Sequence, residues 1–527
     1  MTVQQAFALA ADRYREGKPA EAKDLLEQIL IHDPQHAYAL HLLGIIVRDE
    51  GDKGRGLELV RRVIEVSPQW SAAHCTLGDT LLSMGQTDDA IASYRRVLEI
   101  DPNNAAVWCS LGAALALQKR YSEAIDAFER FVVLKPDSAE GHYNIGRAYD
   151  DQGDIERAAL AYRRAVEQHP RFALAWNNLG NKLRHLGQFS QAIDAFRGAI
   201  AADSSYAYAH LNMALTLLLV GQNEEGLKEF EWRWLIGDAM ADPSAFSRPR
   251  WDGSPLNGRR LLVHAEQGLG DTVHFIRYLP LLTPLLGSRG EHAREQVIVE
   301  VQPFLLRLIE PYVRKLGERF SLIGRGQRRP AFDVHCPLLS LPHTCKFSIS
   351  GPPADVPYLQ PHAEDVEHWR RRLAEIGASL KVGLVWGGNP AHLGDARRSI
   401  ALSALAPLAA VPGVQFVSLQ VGPPARQAAA SAMPLINWSH EFRGFNDAGL
   451  MAQLDLIITV DTSVAHIAGA MAVPTWLLLC SAPDWRWGIA GETTRWYPTV
   501  RLFRQRRRDD WSDVMAAVTD ALRARAG

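Results

Sequence analysis

Hydrophobic positions over the first 236 residues return on a fixed beat. A large apolar residue and a small one stand together at Leu43-Gly44, Leu77-Gly78, Leu111-Gly112, Ile145-Gly146, Leu179-Gly180 and Met213-Ala214, each pair 34 residues after the last. A second small position gives Ala22, Gly56, Ala90, Ala124, Ala158, Ala192 and Gly226, and an aromatic position gives Tyr94, Phe128, Tyr162, Phe196 and Phe230. Pro34, Pro68, Pro102, Pro136 and Pro170 keep the same period, and turn glycines such as Gly17, Gly51, Gly85, Gly153, Gly187 and Gly221 break each helix pair. A fixed period of this length predicts stacked helix–turn–helix units, none of which buries its apolar face alone. The small residues let the two helices of a unit approach. The aromatic residue is expected to fill the gap between neighbouring units.

These positions are similar to the tetratricopeptide repeat over residues 3–236, as six units and a divergent seventh (207–236) in which Ser204 replaces the preceding proline. The resemblance implies an α-solenoid over 1–236 that holds a polypeptide on its concave helices. His74, Asn104, His142, Asn144, Trp176, Asn177, Asn178, His210 and Asn212 are candidates to face that partner. Asparagine suits the task because its amide pairs with a peptide backbone without demanding a particular side chain. Asn144, Asn177, Asn178 and Asn212 are therefore the expected peptide-binding set, against the plainer reading of surface polar residues and the family's common Trp.

The pattern changes after the repeats. Residues 237–258 are linker-like, with Pro243, Pro249, Gly253, Pro255 and Gly258. Short apolar runs then alternate with helical ones. Strands are expected at 260–265, 296–301 and 333–336, with a helix over 273–282 and another from Pro303. A proline-rich crossover at 352–361 follows. The alternation restarts with a helix over 366–377 and strands at 381–386, 415–420, 457–460 and 475–480. Helices are expected over 402–410, 463–471 and about 510–525. Such alternation predicts parallel sheets covered on both faces. Two runs separated by a crossover predict two Rossmann-like halves, 259–360 and 361–527, with a cleft between them.

Charge sharpens the division. Residues 1–236 carry 25 Lys+Arg against 32 Asp+Glu, a formal −7; the remainder carries 32 against 27, a formal +5. An acidic repeat surface argues against nucleic acid as its partner, and a basic second half suits an anionic ligand such as a nucleotide. Five scattered cysteines at 75, 109, 336, 345 and 480 fit a reducing cytoplasm. The opening residues already read as a repeat helix, so no signal peptide is expected. The longest apolar run, 464–480, is interrupted by His466 and Pro474 and predicts a buried helix and strand, with no membrane span.

Ligands of open parallel sheets bind at the carboxyl ends of strands, and three loops there hold candidate chemistry. In the first, Gln267, Gly268 and Gly270 lead to Asp271 at the start of a helix. The aspartate is placed either as a general base or as a helix cap. A dinucleotide fingerprint would need a third glycine where Val273 stands. In the second, Asp461, Thr462, Ser463 and His466 enter a helix whose N–H groups and hydroxyls suit a pyrophosphate; a plain cap is the rival. The third runs from Trp386-Gly387-Gly388-Asn389-Pro390 to Arg397-Arg398-Ser399. It offers guanidinium forks to phosphate, or is a solvated basic loop. Pro483–Gly488 sets two tryptophans near a strand end, where they also suit a core. His335, Cys336, His343 and Cys345 lack the close Cys-x-x-Cys pair of a zinc site. No G-x-S-x-G elbow is present.

Leu269-Gly270-Asp271 with its helix, and Asp461-Thr462 with His466, resemble the heptosyltransferase-like glycosyltransferases of bacteria. Gln267–Thr272, Asn389-Pro390, Arg398-Ser399 and Pro483–Trp487 resemble the bacterial proteins that join tetratricopeptide repeats to such a domain. Some of those proteins are implicated in flagellin glycosylation. The layout also parallels protein O-GlcNAc transferases, whose repeats present protein substrates. The resemblance implies a GT-B fold, two Rossmann-like domains whose last helix crosses back to the first half. It implies Asp271 as the catalytic aspartate, Asp461 near the donor sugar and Thr462 and Ser463 beside the donor phosphates. His466 is implied as a structural or donor-facing residue. The activity implied is transfer from a nucleotide-sugar to a protein hydroxyl, inverting and without a metal or other cofactor. A lysine that many heptosyltransferases carry in the loop after the first strand of the second half is missing from 387–399; Arg397 and Arg398 stand in its place. Two other readings remain at this point: a non-catalytic repeat adaptor with a degenerate transferase domain, and a transferase acting on polysaccharide or lipid-linked glycan.

Overall fold

The computed structural model describes residues 1–236, 246–287, 296–347, 349, 355–377, 380–392 and 394–527. It divides into two compact units, Met1–Tyr206 and Ala207–Gly527. The first nine residues of the expected linker and the first part of the proline-rich crossover lie outside the described residues.

The first unit is helical throughout, running from α1 (Val3–Arg15) and α2 (Pro19–His32) through ten further helices to α12 (Phe189–Ala202). Consecutive pairs form the expected units. The packing of the aromatic position differs from the expectation. Tyr94, Phe128, Tyr162 and Phe196 each sit on the glycine of their own unit's first helix. A Cβ on Gly78, Gly112, Gly146 or Gly180 would lie 2.5, 2.6, 2.8 or 2.5 Å from that ring. The glycine is thus a seat for a flat ring, and the ring closes a unit rather than the gap between units. Tyr94 also donates its hydroxyl to Asp79 at 2.7 Å. The prolines are tied down as well. His74, Trp108 and Trp176 each stand six residues after one and donate a ring N–H to its carbonyl, at 2.9, 2.8 and 2.9 Å.

The second unit opens with the divergent seventh pair, α13 (Ala207–Leu219) and α14 (Asn223–Phe230). The repeat pattern therefore runs past the boundary between compact units. A 3₁₀ turn, Glu231–Leu235, follows. The linker is not a free connection where it is described. The Trp251 N–H donates to the His335 carbonyl at 2.7 Å, and Trp251 and Leu256 are buried.

Two all-parallel sheets carry the rest. The first has β1 (Arg260–His264), β2 (Gln296–Val301), β3 (Phe320–Gly324) and β4 (Val334–Pro337) in the order β3-β2-β1-β4. Its helices are α15 (Leu269–Phe275), α16 (Leu306–Lys315) and α17 (Leu341–Thr344). The helix expected over 273–282 is α15 followed by a 3₁₀ stretch, Ile276–Leu285, that contains Pro280 and Pro284. Proline lacks the N–H for an α-helical bond, which accounts for the change.

The second sheet follows α18 (Ala363–Ala374). It contains β5 (Leu380–Val385), β6 (Val414–Ser418), β7 (Leu435–Asn437), β8 (Leu456–Val460), β9 (Thr475–Leu479) and β10 (Val500–Arg504), in the order β10-β9-β8-β5-β6-β7. Counted from its own first strand, this is the 3-2-1-4-5-6 order of doubly wound folds, reversing between β5 and β8. Its helices are α19 (Asp395–Arg398), α20 (Asp447–Met451), α21 (Ser463–Ala470) and α22 (Ser512–Ala526). The last, α22, packs on the second sheet. Its Val514, Met515, Val518 and Leu522 belong to the core of the second sheet, with Leu402, Leu405 and Leu408.

Candidate functional site: the junction of the two sheets

The strand order puts the reversal of the first sheet at β1 and that of the second between β5 and β8. The loops leaving β1, β5 and β8 are the three that the sequence singled out. The loop after β1 is held by Gln302 at the end of β2. Its Nε2 donates to the Gln267 carbonyl at 2.7 Å, and its Oε1 accepts from the Thr272 hydroxyl at 2.9 Å. Gly268 caps α15, and its N–H donates to Asp271 Oδ2 at 3.0 Å. Asp271 is therefore not the N-cap residue itself but stands at the third helical position, from which its carboxylate takes the N-cap N–H. That bond does not exhaust the residue, because Oδ1 accepts from Arg486 Nη2 at 2.6 Å across the junction. The Asp271 side chain keeps 23 % of its surface exposed. Burial pushes its carboxyl above the usual range, the Arg486 charge pulls it back, and Asp484 adds to the rise.

Gly270 is where α15 meets α21. A Cβ there would lie 2.8 Å from His466 Cδ2. His466 is buried, stacks on Trp487 at 5.0 Å, and bonds through Nδ1 to the Tyr497 hydroxyl at 3.0 Å. The same hydroxyl lies 3.1 Å from His274 Nδ1 of α15. Burial holds His466 down to about 3 and His274 well below its ordinary value, so both are neutral. His466 is therefore a packing residue between the two sheets, which corrects its place among the donor-binding residues.

Asp461, Thr462 and Ser463 stand half-buried at the end of β8 and the start of α21. The Thr462 hydroxyl lies 3.3 Å from that of Thr459 and does not cap the helix. Unsatisfied first-turn N–H groups and the helix dipole favour an anion there. Burial raises the Asp461 carboxyl, and neighbouring Asp484 raises it further.

The loop after β5 is pinned from within. Gln420 Oε1 accepts the N–H groups of Trp386 and Gly387 at 2.9 and 2.8 Å. Ser399 Oγ accepts from Gly388 N at 2.9 Å and donates to Asp395 Oδ2 at 3.0 Å. Arg398 Nε donates to Asp395 Oδ1 at 3.1 Å. Gly388 is required, since a Cβ would fall 2.3 Å from Asp395 Oδ1. Asn389 spends its Oδ1 on the Ala391 N–H at 3.1 Å, so it shapes the turn. Arg397 is exposed. The charge of Arg398 acts on Asp461, and that of Arg397 on nearby Cys480.

Arg486 joins the site without having been among the residues expected there. It was visible inside Pro483–Gly488 but hidden by the tryptophans on either side. It is 7 % exposed. Its Nη1 donates to Asp484 at 2.9 Å, and its guanidinium lies over the Trp485 ring at 4.5 Å. His392 is a second addition, close enough for Asp271 and Asp484 to act on its charge. Among the described residues no three His, Cys, Asp or Glu side chains converge to hold a metal ion.

The repeat candidates divide. Asn144 and Asn178 are half-buried at one repeat position, on the helices Ala139–Gln152 and Ala173–His185. Asn144 Nδ2 lies 3.8 Å from Cys109 Sγ. Asn212 holds the same position on α13, in the second unit. Asn177 is buried at 5 %, which removes it from a partner-facing role. Asn104 caps its helix through Val107 N at 3.3 Å. His210 stacks flat on Trp232 at 3.7 Å and pairs with Glu229, so it too is internal.

Comparison with known proteins supports the repeats directly. Residues 7–70, 75–139 and 143–231 match the tetratricopeptide repeat family, and this part of the chain is built of those repeats. Protein FlbA of Caulobacter vibrioides is 29% identical over 314 residues, covering 57% of this chain and 52% of FlbA. The chain thus spans about half the length of that relative. A MamA crystal structure is 26% identical over 31% of this chain and 96% of its own, with a TM-score of 0.30. The C-terminal part of a repeat-containing protein from Cytophaga hutchinsonii is 13% identical, with a TM-score of 0.40 over 45% of this chain and 98% of its own. No helix among the described residues is long and apolar enough to cross a membrane.

Proposed function

We propose that the chain is a glycosyltransferase that moves a sugar from a nucleotide-sugar to a hydroxyl of a protein, and that its α/β region is a GT-B fold. The observation that carries this reading is the meeting of α15, which bears Asp271, with the start of α21: a Cβ on Gly270 would lie 3.4 Å from Ser463 Cα, and each helix follows a strand at the switch point of its own parallel sheet. In this reading the donor diphosphate lies on the Thr462–Ser463 helix start beside Asp461, with Arg398 within electrostatic reach. Asp271 takes the proton of the acceptor hydroxyl while the oxygen bonds to the anomeric carbon. The bond from that carbon to the diphosphate breaks on the opposite face, which inverts the centre. The repeats select the protein acceptor, with Asn144 and Asn178 facing its backbone. A flagellin is the acceptor to which the sequence resemblance points.

Calorimetry of the full chain with UDP, ADP, GDP and CMP tests the donor site. One nucleotide is expected to bind, and Ser463→Pro, which fills the helix start, is expected to abolish that binding. Binding of none would leave the repeat adaptor as the better account, since the repeats stand on their own evidence.

A further inference from the structure

Arg486 leaves β9 in the 3₁₀ turn Trp485–Trp487, on the second sheet's side of the junction. Asp484 fixes that turn by accepting both the Arg486 N–H at 3.0 Å and its Nη1 at 2.9 Å, so the direction of the guanidinium is set before it meets anything else. The remaining fork crosses to α15 and holds Asp271 Oδ1 at 2.6 Å. Its side chain is 6 % exposed, while Asp271 and Asp484 keep 23 % and 37 % of theirs. A carboxylate oxygen has two lone-pair directions. With Gly268 N on Oδ2 and Arg486 on Oδ1, one direction on each stays open. The sequence order matters here: Asp271 belongs to the first sheet and its holder to the second.

We propose that Arg486 is a positioning residue, reaching from the donor half to hold the Asp271 carboxylate, so that the base is aimed only while the two sheets are docked. This rests on Asp271 being the base. The charged groups around Asp271 are Arg486, Asp484, His392 and Glu266. Removing Arg486 takes away the strongest pull against burial and Asp484, leaving only the Gly268 N–H and His392 on that side, which raises the proton affinity of Asp271. Removing Asp484 takes away a repelling charge and lowers it.

The test follows the ¹³Cγ resonance of Asp271 against pH in the full chain, with no donor present, assigned by its loss in Asp271→Asn. Arg486→Met is expected to raise the proton affinity of Asp271 about tenfold or more, Arg486→Lys to recover most of the shift, and Asp484→Asn to move it the other way. Circular dichroism checks that each variant folds; if Arg486→Met does not, Asp484→Asn carries the test. An Asp271 midpoint that stays put in Arg486→Met, or in Asp484→Asn, overturns the proposal. Because this titration needs no nucleotide, its outcome is separate from that of the transferase reading. Where turnover is measured, the acid limb of kcat/KM moves up in Arg486→Met by the same amount, and an unmoved limb overturns the proposal as well.

Discussion

The two units use charge in different ways. The repeats keep most of their ion pairs outside, as where Arg95–Glu123 and Arg120–Glu123 join at 2.9 and 2.8 Å, although Lys182 is buried beside Asp150. The α/β unit takes ion pairs inside. Arg233 and Glu266 meet at 2.9 Å with 1 % and 2 % of their side chains exposed. Through Glu266, Arg233 links the 3₁₀ turn after the seventh helix pair to the loop that carries Asp271, and it also donates to Ser340 Oγ at 2.6 Å after β4. Exposed pairs are weak and replaceable, whereas a buried pair is fragile because losing one partner strands the other. The repeats therefore hold together by apolar packing and leave their surface free for recognition. The α/β unit commits its charges to fixed places, which is what chemistry at a junction requires.

Breaking the buried pair should give the largest effect. Arg233→Met leaves Glu266 unpaired and is expected to cost about 3–5 kcal/mol in urea unfolding. Next comes a test of packing in the repeats. Gly180→Ala drives a Cβ into the Phe196 ring and is expected to cost about 1–3 kcal/mol. A loss as small as that of a surface change would contradict the seated-ring account.

The third concerns pH. His466 is held down to about 3, so between pH 6.5 and that value the unfolded chain binds a proton that the folded one refuses. Stability from this residue is present above pH 6.5 and is lost as pH falls. His466→Asn is expected to remove about 2 kcal/mol of the loss seen between pH 6.5 and 5. Glu266 works in the opposite sense. Burial raises it to about 7, so stability falls as pH rises from the ordinary carboxylate range through that value. The smallest effect belongs to the repeat surface. Arg95→Ala should leave the unfolding midpoint unchanged, and a clear drop would erase the contrast between the units.

Much of this was legible in the sequence because it is written locally. The 34-residue beat fixes helix pairs from neighbouring residues alone, and family comparison finds the same repeats. The three loops were legible too, since strand ends and helix starts have local signatures. What was not legible depends on contacts between distant residues. Arg486 meets Asp271 across 215 positions of chain, and nothing near either one announces the other. His466 reads as a donor contact by its place on a helix, yet the hydroxyl that claims it belongs to Tyr497. His74 and Trp176 look partner-facing until the proline carbonyl six residues back is found to hold them. β3, β7 and β10 do not stand out because each is an edge strand whose burial is broken, which leaves no continuous apolar run to read.

The most direct test of the transferase reading is release of a nucleoside diphosphate. The purified full chain is incubated with a panel of nucleotide-sugars and a dialysed extract of the source organism as acceptor, beside Asp271→Asn. One donor is expected to be consumed only when extract is present, with the rate falling about 10²–10⁴-fold in the variant. Release that is equal in the variant, or absent with every donor, would contradict the account.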